Sequence, residues 1–197
     1  PAANAWINEI HYDNVGADSD EIVEVVIENA SSYTLSDFAI TLYNGGNGAL
    51  YKSKTLDLFT VGSTTGNYTF YYFNFSTDGG LQNGSPDGLA LDWKGNLIQF
   101  LSYEGTFTAV DGPASGILST DINVTEDGST PVGNSLQLQG TGLIYSHFTW
   151  VDPVSNAGNP NGGQFFGPPP PAVPLDWKYM ILFFFLITGV LIYRKLT

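Results

Sequence analysis

Short runs of alternating apolar and polar side chains fill the chain as far as Val151, and that period predicts β-strands. Ala5–Tyr12 (AWINEIHY) sets Trp6, Asn8, Ile10 and Tyr12 against Ile7, Glu9 and His11, a strand with apolar residues on both faces. Glu21–Asn29 (EIVEVVIEN) puts Val23, Val25 and Ile27 on one face and Glu24 and Glu28 on the other, the pattern of a half-exposed strand. Leu35-Ser36-Asp37 leads into Phe38–Tyr43, where Phe38, Ile40 and Leu42 mark a core face. Asn44-Gly45-Gly46-Asn47-Gly48 supplies residues that tolerate positive φ, so a hairpin to Leu50–Leu56 is expected. Tyr68–Phe75 (YTFYYFNF) is the most aromatic strand. Gly88–Asp92 and Leu97–Tyr103 flank the turn Trp93-Lys94-Gly95-Asn96, and Ser135–Gln139 and Tyr145–Val151 close the series. Asp111–Pro131, rich in Asp, Gly, Ser, Thr and Pro, reads as a long surface excursion. The expected fold class is all-β, an antiparallel β-sandwich.

After Asp152 the pattern changes twice. Residues 153–176 are rich in Gly, Asn and Pro and are expected to form a linker, ending in the polyproline stalk Gly167–Pro174. The sandwich is therefore expected over residues 1–152. Residues 177–193 (WKYMILFFFLITGVLIY) then contain one charge, Lys178, and at helical rise span about 25 Å, close to a hydrocarbon core. Trp177, Tyr179 and Tyr193 flank the run as interfacial aromatics, and Lys178 can snorkel to the headgroups. A single C-terminal transmembrane α-helix is expected, its lipid bilayer contact made by these residues. Arg194 and Lys195 follow directly, so residues 194–197 form a basic end that the positive-inside rule places in the cytoplasm. The N-terminal domain then stands outside, periplasmic or at the cell surface, and Pro1 fits a start left by a cleaved signal peptide.

Charge narrows the partners. Residues 1–176 carry all 19 acidic residues and only Lys52, Lys54 and Lys94 as basic ones, a surface that repels phosphate backbones and argues against nucleic acid. Cysteine is absent, so neither a disulfide framework nor a thiolate metal site can form.

The motifs resemble one family. Trp6-Ile7-Asn8-Glu9-Ile10-His11-Tyr12, Asp20-Glu21-Ile22-Val23-Glu24-Val25 and Leu35-Ser36-Asp37-Phe38 look like the opening strands of bacterial lamin-tail-type domains. Asp87-Gly88-Leu89-Ala90-Leu91 with Leu97–Gly105 resembles that family's later hairpin. Gly133–Leu138 and Phe148-Thr149-Trp150 resemble its closing strands. The resemblance covers about Ala5–Val151 and implies an immunoglobulin-like sandwich with no activity of its own, an accessory module for binding or scaffolding. The Pro-rich spacer, apolar span and basic end also resemble bacterial envelope-sorting tails.

Candidate sites follow from residue type. Asp13, Asp18, Asp20 and Glu21, beside His11, gather hard oxygens in one turn and suggest Ca²⁺, although EF-hand spacing is missing. The alternative is turn acids that are solvated or cap local amides, and Glu9 and Glu24 can likewise pair with backbone donors. Without Cys or HExxH, His11 and His147 advertise no zinc or nucleophilic site. No cofactor is expected. Tyr71, Tyr72 and Phe73 belong to a strand with aromatics on both faces, so one face is either covered or an interaction surface for protein or glycan. Thr188-Gly189 offers a notch for another membrane helix. The leading expectation is a non-enzymatic, membrane-anchored subunit of an envelope complex, partnered by other envelope or membrane proteins. The alternatives are a surface adhesin or glycan-binding module with a processed tail, and a hydrolase with an unadvertised acidic site.

Overall fold

The computed structural model describes residues 3–171. The expected membrane helix and basic end lie outside them, and no helix among the described residues is long and apolar enough to cross a membrane. Strands β1 (Ala5–His11), β2 (Ile22–Glu28), β3 (Phe38–Asn44), β4 (Ala49–Thr55), β6 (Tyr68–Asn74), β7 (Asp87–Trp93), β8 (Asn96–Tyr103), β10 (Leu136–Gly142) and β11 (Phe148–Val151) occupy the runs that alternation marks. Three more, β5 (Thr60–Thr65), β9 (Thr120–Asp121) and β12 (Gln164–Phe166), fall where no alternation is visible.

The strands form two sheets, in the orders β11-β10-β1-β2-β6-β5 and β4-β3-β7-β8-β9, with β12 joined to β10. Neighbours are antiparallel except the two short pairs β10–β12 and β8–β9, which are parallel. The core contains Ile7, Ile10, Val23, Val25 and Ile27 from the first sheet and Phe38, Ile40, Leu42, Leu89 and Leu91 from the second, all essentially inaccessible to water.

Each sheet is also covered by chain that the sequence reads as loop. Around Tyr43 and Phe100 of the second sheet, Phe107, Ala109 and Ala114 complete a smaller apolar cluster. The stretch 111–131 is thus not a free excursion, because Ala114, Ile122, Glu126 and Thr130 are buried within it. On the first sheet, residues 153–167 run back as a strap that ends in β12. The sandwich therefore extends past the expected boundary at 152, because Asn161 and Gln164 are buried and β12 pairs with Gly140–Gly142.

Phe166 anchors the end of the strap. Its ring lies 4.4 Å from that of Tyr68, 5.8 Å from those of Phe70 and Phe148, and 6.2 Å from that of Trp6, all within the range of favourable aromatic contact. Beyond it Pro168–Pro171 are exposed.

Candidate functional site: a buried polar layer beneath the strap

Register places three polar side chains in a row across the first sheet. Glu9 of β1 is opposite Gln137 of β10 on one side and Glu24 of β2 on the other, and partners across a ladder share a face. A bulge between Ile7 and Glu9 turns Asn8 toward the same layer. All four residues are fully buried. Glu24 thus does not lie on a solvated face as its alternation suggests, because the strap covers it.

The strap supplies the partners. Glu9 Oε1 accepts hydrogen bonds from Ser155 Oγ at 2.5 Å, Ser135 Oγ at 2.7 Å and the Asn156 N–H at 3.3 Å. Glu24 Oε2 accepts from the Gly158 N–H at 2.5 Å, and its Oε1 accepts from Asn8 Nδ2 at 2.9 Å. Asn8 Oδ1 in turn accepts from Trp6 Nε1 at 3.1 Å and Gln164 Nε2 at 2.6 Å. Asn161 Nδ2 donates to the carbonyls of Asn8 and Leu138, stitching the strap to β1 and β10. Two glycines permit the close approach. A Cβ on Gly62 would lie 2.4 Å from the Gly158 carbonyl oxygen, and Gly158 itself, at φ +85°, sits against Tyr72.

Burial is the main electrostatic fact here. It pushes the Glu9 carboxyl up, against the bonds from Ser155 and Ser135. It pushes Glu24 well above the usual carboxylate range, helped by the nearby Glu9 charge and opposed by Asn8 and Gly158.

A second buried network closes the end of β1. His11 Nδ1 lies 2.8 Å from Glu126 Oε1, and its Nε2 faces Asn14 Oδ1 at 3.3 Å and the Ser19 carbonyl at 3.0 Å. Asn14 Nδ2 donates to the carbonyls of Val15 and Ala17, which fixes Oδ1 as the atom that faces the ring. Both ring nitrogens therefore meet acceptors, the surroundings of an imidazolium. Burial opposes that charge, but Glu126, Asn14 and Ser19 outweigh it and raise His11 above its usual range. Glu126 Oε2 also accepts the Tyr12 and Asp13 N–H groups, while burial raises its carboxyl. Tyr12 stacks on Tyr103 at 3.9 Å, and its hydroxyl accepts the Glu126 N–H.

The four acids expected to share a cation turn to different partners. Glu21 accepts from the Leu81 N–H and Ser76 Oγ. Asp20 accepts from Asn74 Nδ2, and Asp18 from Asn83 Nδ2 and the Asn14 N–H. Asp13 remains close to Asp18; partial burial and that neighbouring charge raise its carboxyl. Among the described residues no three His, Asp or Glu side chains gather as metal ligands would.

Neither Tyr71, Tyr72 nor Phe73 is exposed. Tyr71 is buried, Tyr72 lies against Gly158, and Phe73 sits under the Lys54 ammonium, 4.2 Å from the ring centre. The strap and the facing sheet cover both sides of β6. His147 is exposed, and its Nδ1 accepts the Leu143 N–H.

Sequence reasoning does not find the Glu9–Gln137–Glu24 row. The available signal is the density of Ser, Asn, Gln and Gly over 155–164, which supplies the donors. No family model, no curated protein and no solved structure matches the chain.

Proposed function

We propose that this chain is a non-enzymatic scaffold or binding module of a bacterial envelope, an immunoglobulin-like, lamin-tail-type sandwich held outside the cytoplasm by one C-terminal helix. The observation that carries this reading is the 17-residue apolar run Trp177–Tyr193 followed by Arg194-Lys195, joined to the all-β unit through prolines. Two features support it. Pro168–Pro171 leave directly from β12, so the stalk starts at the sandwich itself. The carboxylates of Glu21, Glu24 and Glu126 are turned onto backbone donors, which suits fastening loops more than chemistry on a substrate. The partners are other envelope or membrane proteins, engaged by the sandwich, the helix or both.

The absence of cysteine makes the test direct. Ser31→Cys lies on the exposed surface and Thr197→Cys in the basic end. In spheroplasts, a membrane-impermeant maleimide is expected to label Ser31→Cys and to reach Thr197→Cys only after lysis. A chain that washes off membranes in carbonate, or labels in the opposite sense, overturns the reading. A mature chain ending before Trp177 replaces it with a processed surface protein.

A further inference from the structure

We propose that the polar layer beneath the strap binds one hard divalent cation of the calcium class, held by oxygens of Glu9, Glu24, Gln137, Asn156 and Asn161. The site differs from the turn of Asp13 and Asp18, and the inference does not depend on where the chain resides.

The first argument is an excess of acceptors. Glu9 Oε2, Gln137 Oε1, Asn156 Oδ1 and Asn161 Oδ1 are all buried and receive no hydrogen bond. Buried polar atoms are nearly always paired, so four unpaired oxygens beneath one strap call for a donor or a cation. The three amides cannot be turned to supply donors. Gln137 Nε2 donates to the Val154 carbonyl, Asn156 Nδ2 to that of Pro160, and Asn161 Nδ2 to those of Asn8 and Leu138. Rotating any of them would set oxygen against oxygen. Gln137 is the register partner of Glu9 and shares its face.

The second argument is charge. Glu9 and Glu24 are register partners, and among the described residues no ammonium or guanidinium answers them. The three lysines among the described residues are committed elsewhere, Lys52 and Lys54 to Asp78 and Lys94 to Asp37. Two carboxylates balance one divalent ion. The donor set is also selective, since it is all oxygen, with amide oxygens beside carboxylates. Calcium takes about six to eight such ligands in irregular geometry, whereas magnesium demands an octahedron and keeps its waters. Each Glu24 oxygen accepts one hydrogen bond and can add a further lone pair while retaining it, whereas Glu9, whose Oε1 already accepts three, would bind through Oε2. A cation here would join β1, β2 and β10 to the strap.

The full chain, in mild detergent, is stripped with chelator, equilibrated with calcium chloride and passed through a desalting column. Elemental analysis is expected to find one calcium per chain. Calcium at about one hundred times its dissociation constant should multiply the folded-to-unfolded ratio about one hundredfold. Glu9→Gln combined with Glu24→Gln should abolish both effects, and Asp13→Ala with Asp18→Ala should preserve them. A measurement on the native chain covers the case in which the glutamine variant does not fold: calcium, but not magnesium, should slow hydrogen exchange at the Gly158 amide. If the native chain keeps no calcium and Gly158 exchanges alike in calcium and chelator, the glutamates are neutral acids and the proposal fails. Calcium retained by the glutamine variant, or lost from the Asp13/Asp18 variant, overturns it equally.

Discussion

Glu24 Oε2 accepts a hydrogen bond from the Gly158 N–H, joining two residues 134 positions apart in the chain. That bond belongs to the fold and not to a linker, which fixes where the domain can be cut. A chain ending at Asp152 removes the cover from Trp6, Tyr68, Phe70, Glu9 and Glu24. Losing the Phe166 ring alone should cost up to about 3 kcal/mol, and exposing the rest should leave little stability. A chain ending at Pro171 is expected to melt cooperatively by circular dichroism, and one ending at Asp152 to be unfolded or aggregated. Equal melting of the two would refute the boundary.

The raised Glu24 carboxyl sets a pH dependence. Its ionisation opposes folding, so the stability it allows is full below the ordinary value of 4.5 and is lost as pH rises through the higher folded value. In chelator, the native chain should lose stability as pH rises above 4.5, and Glu24→Gln should flatten that limb. Glu24→Ala should be worse than either, because Asn8 Nδ2 and the Gly158 N–H lose their acceptor at about 1–3 kcal/mol each. Thermal melts between pH 4 and 8 distinguish the three proteins.

His11 adds a second limb of the same sign at higher pH. Because its folded value is raised, the stability it lends is complete below the ordinary 6.5 and is lost as pH rises through the higher folded value. His11→Gln should remove this limb. At pH 6 either His11→Gln or Glu126→Gln should cost about 3–5 kcal/mol by leaving its partner buried and unmatched. The double variant should cost less than the sum, with a coupling of about 0.5–3 kcal/mol in urea unfolding. Additive losses would mean that the pair is not an ion pair.

Gly62→Ala tests the strap from the other side. The added methyl meets the Gly158 carbonyl oxygen, so the strap must shift. A loss above about 1 kcal/mol is expected, against a gain of about 0.4–1 kcal/mol where alanine fits without strain. Hydrogen exchange should rise at Ser63, whose N–H donates to Gly158, and stay unchanged at Lys94, in a turn of the other sheet.

The strands that carry most of the sandwich were legible because Val23, Val25 and Ile27, or Phe38, Ile40 and Leu42, obey a period of two. β5 was not, since Thr60–Thr65 is half-exposed or exposed throughout and has no core face to imprint on the sequence. β12 was hidden by length, three residues within a Gly- and Asn-rich stretch. Glu24 misled for a related reason: alternation shows that two faces differ but not what covers the polar one. The aromatics of β6 leave coverage and contact open in the sequence, and the Phe166 ring that packs on Tyr68 and Phe70 comes from a stretch that no local pattern links to them. Glu9 and Glu24 do meet backbone donors, and these are Asn156 and Gly158. Their mutual register depends on a bulge that no local pattern announces.

The strap also lies late in the chain, which gives the molecule an order of completion. While residues 155–166 are still to be made, Glu9 and Glu24 have no strap above them and stay hydrated and charged, which opposes the pairing of an unfinished sheet with its copies. Arrival of the last segment converts that repulsive surface into a sealed interior, so the step that completes the unit also removes its protection against self-association.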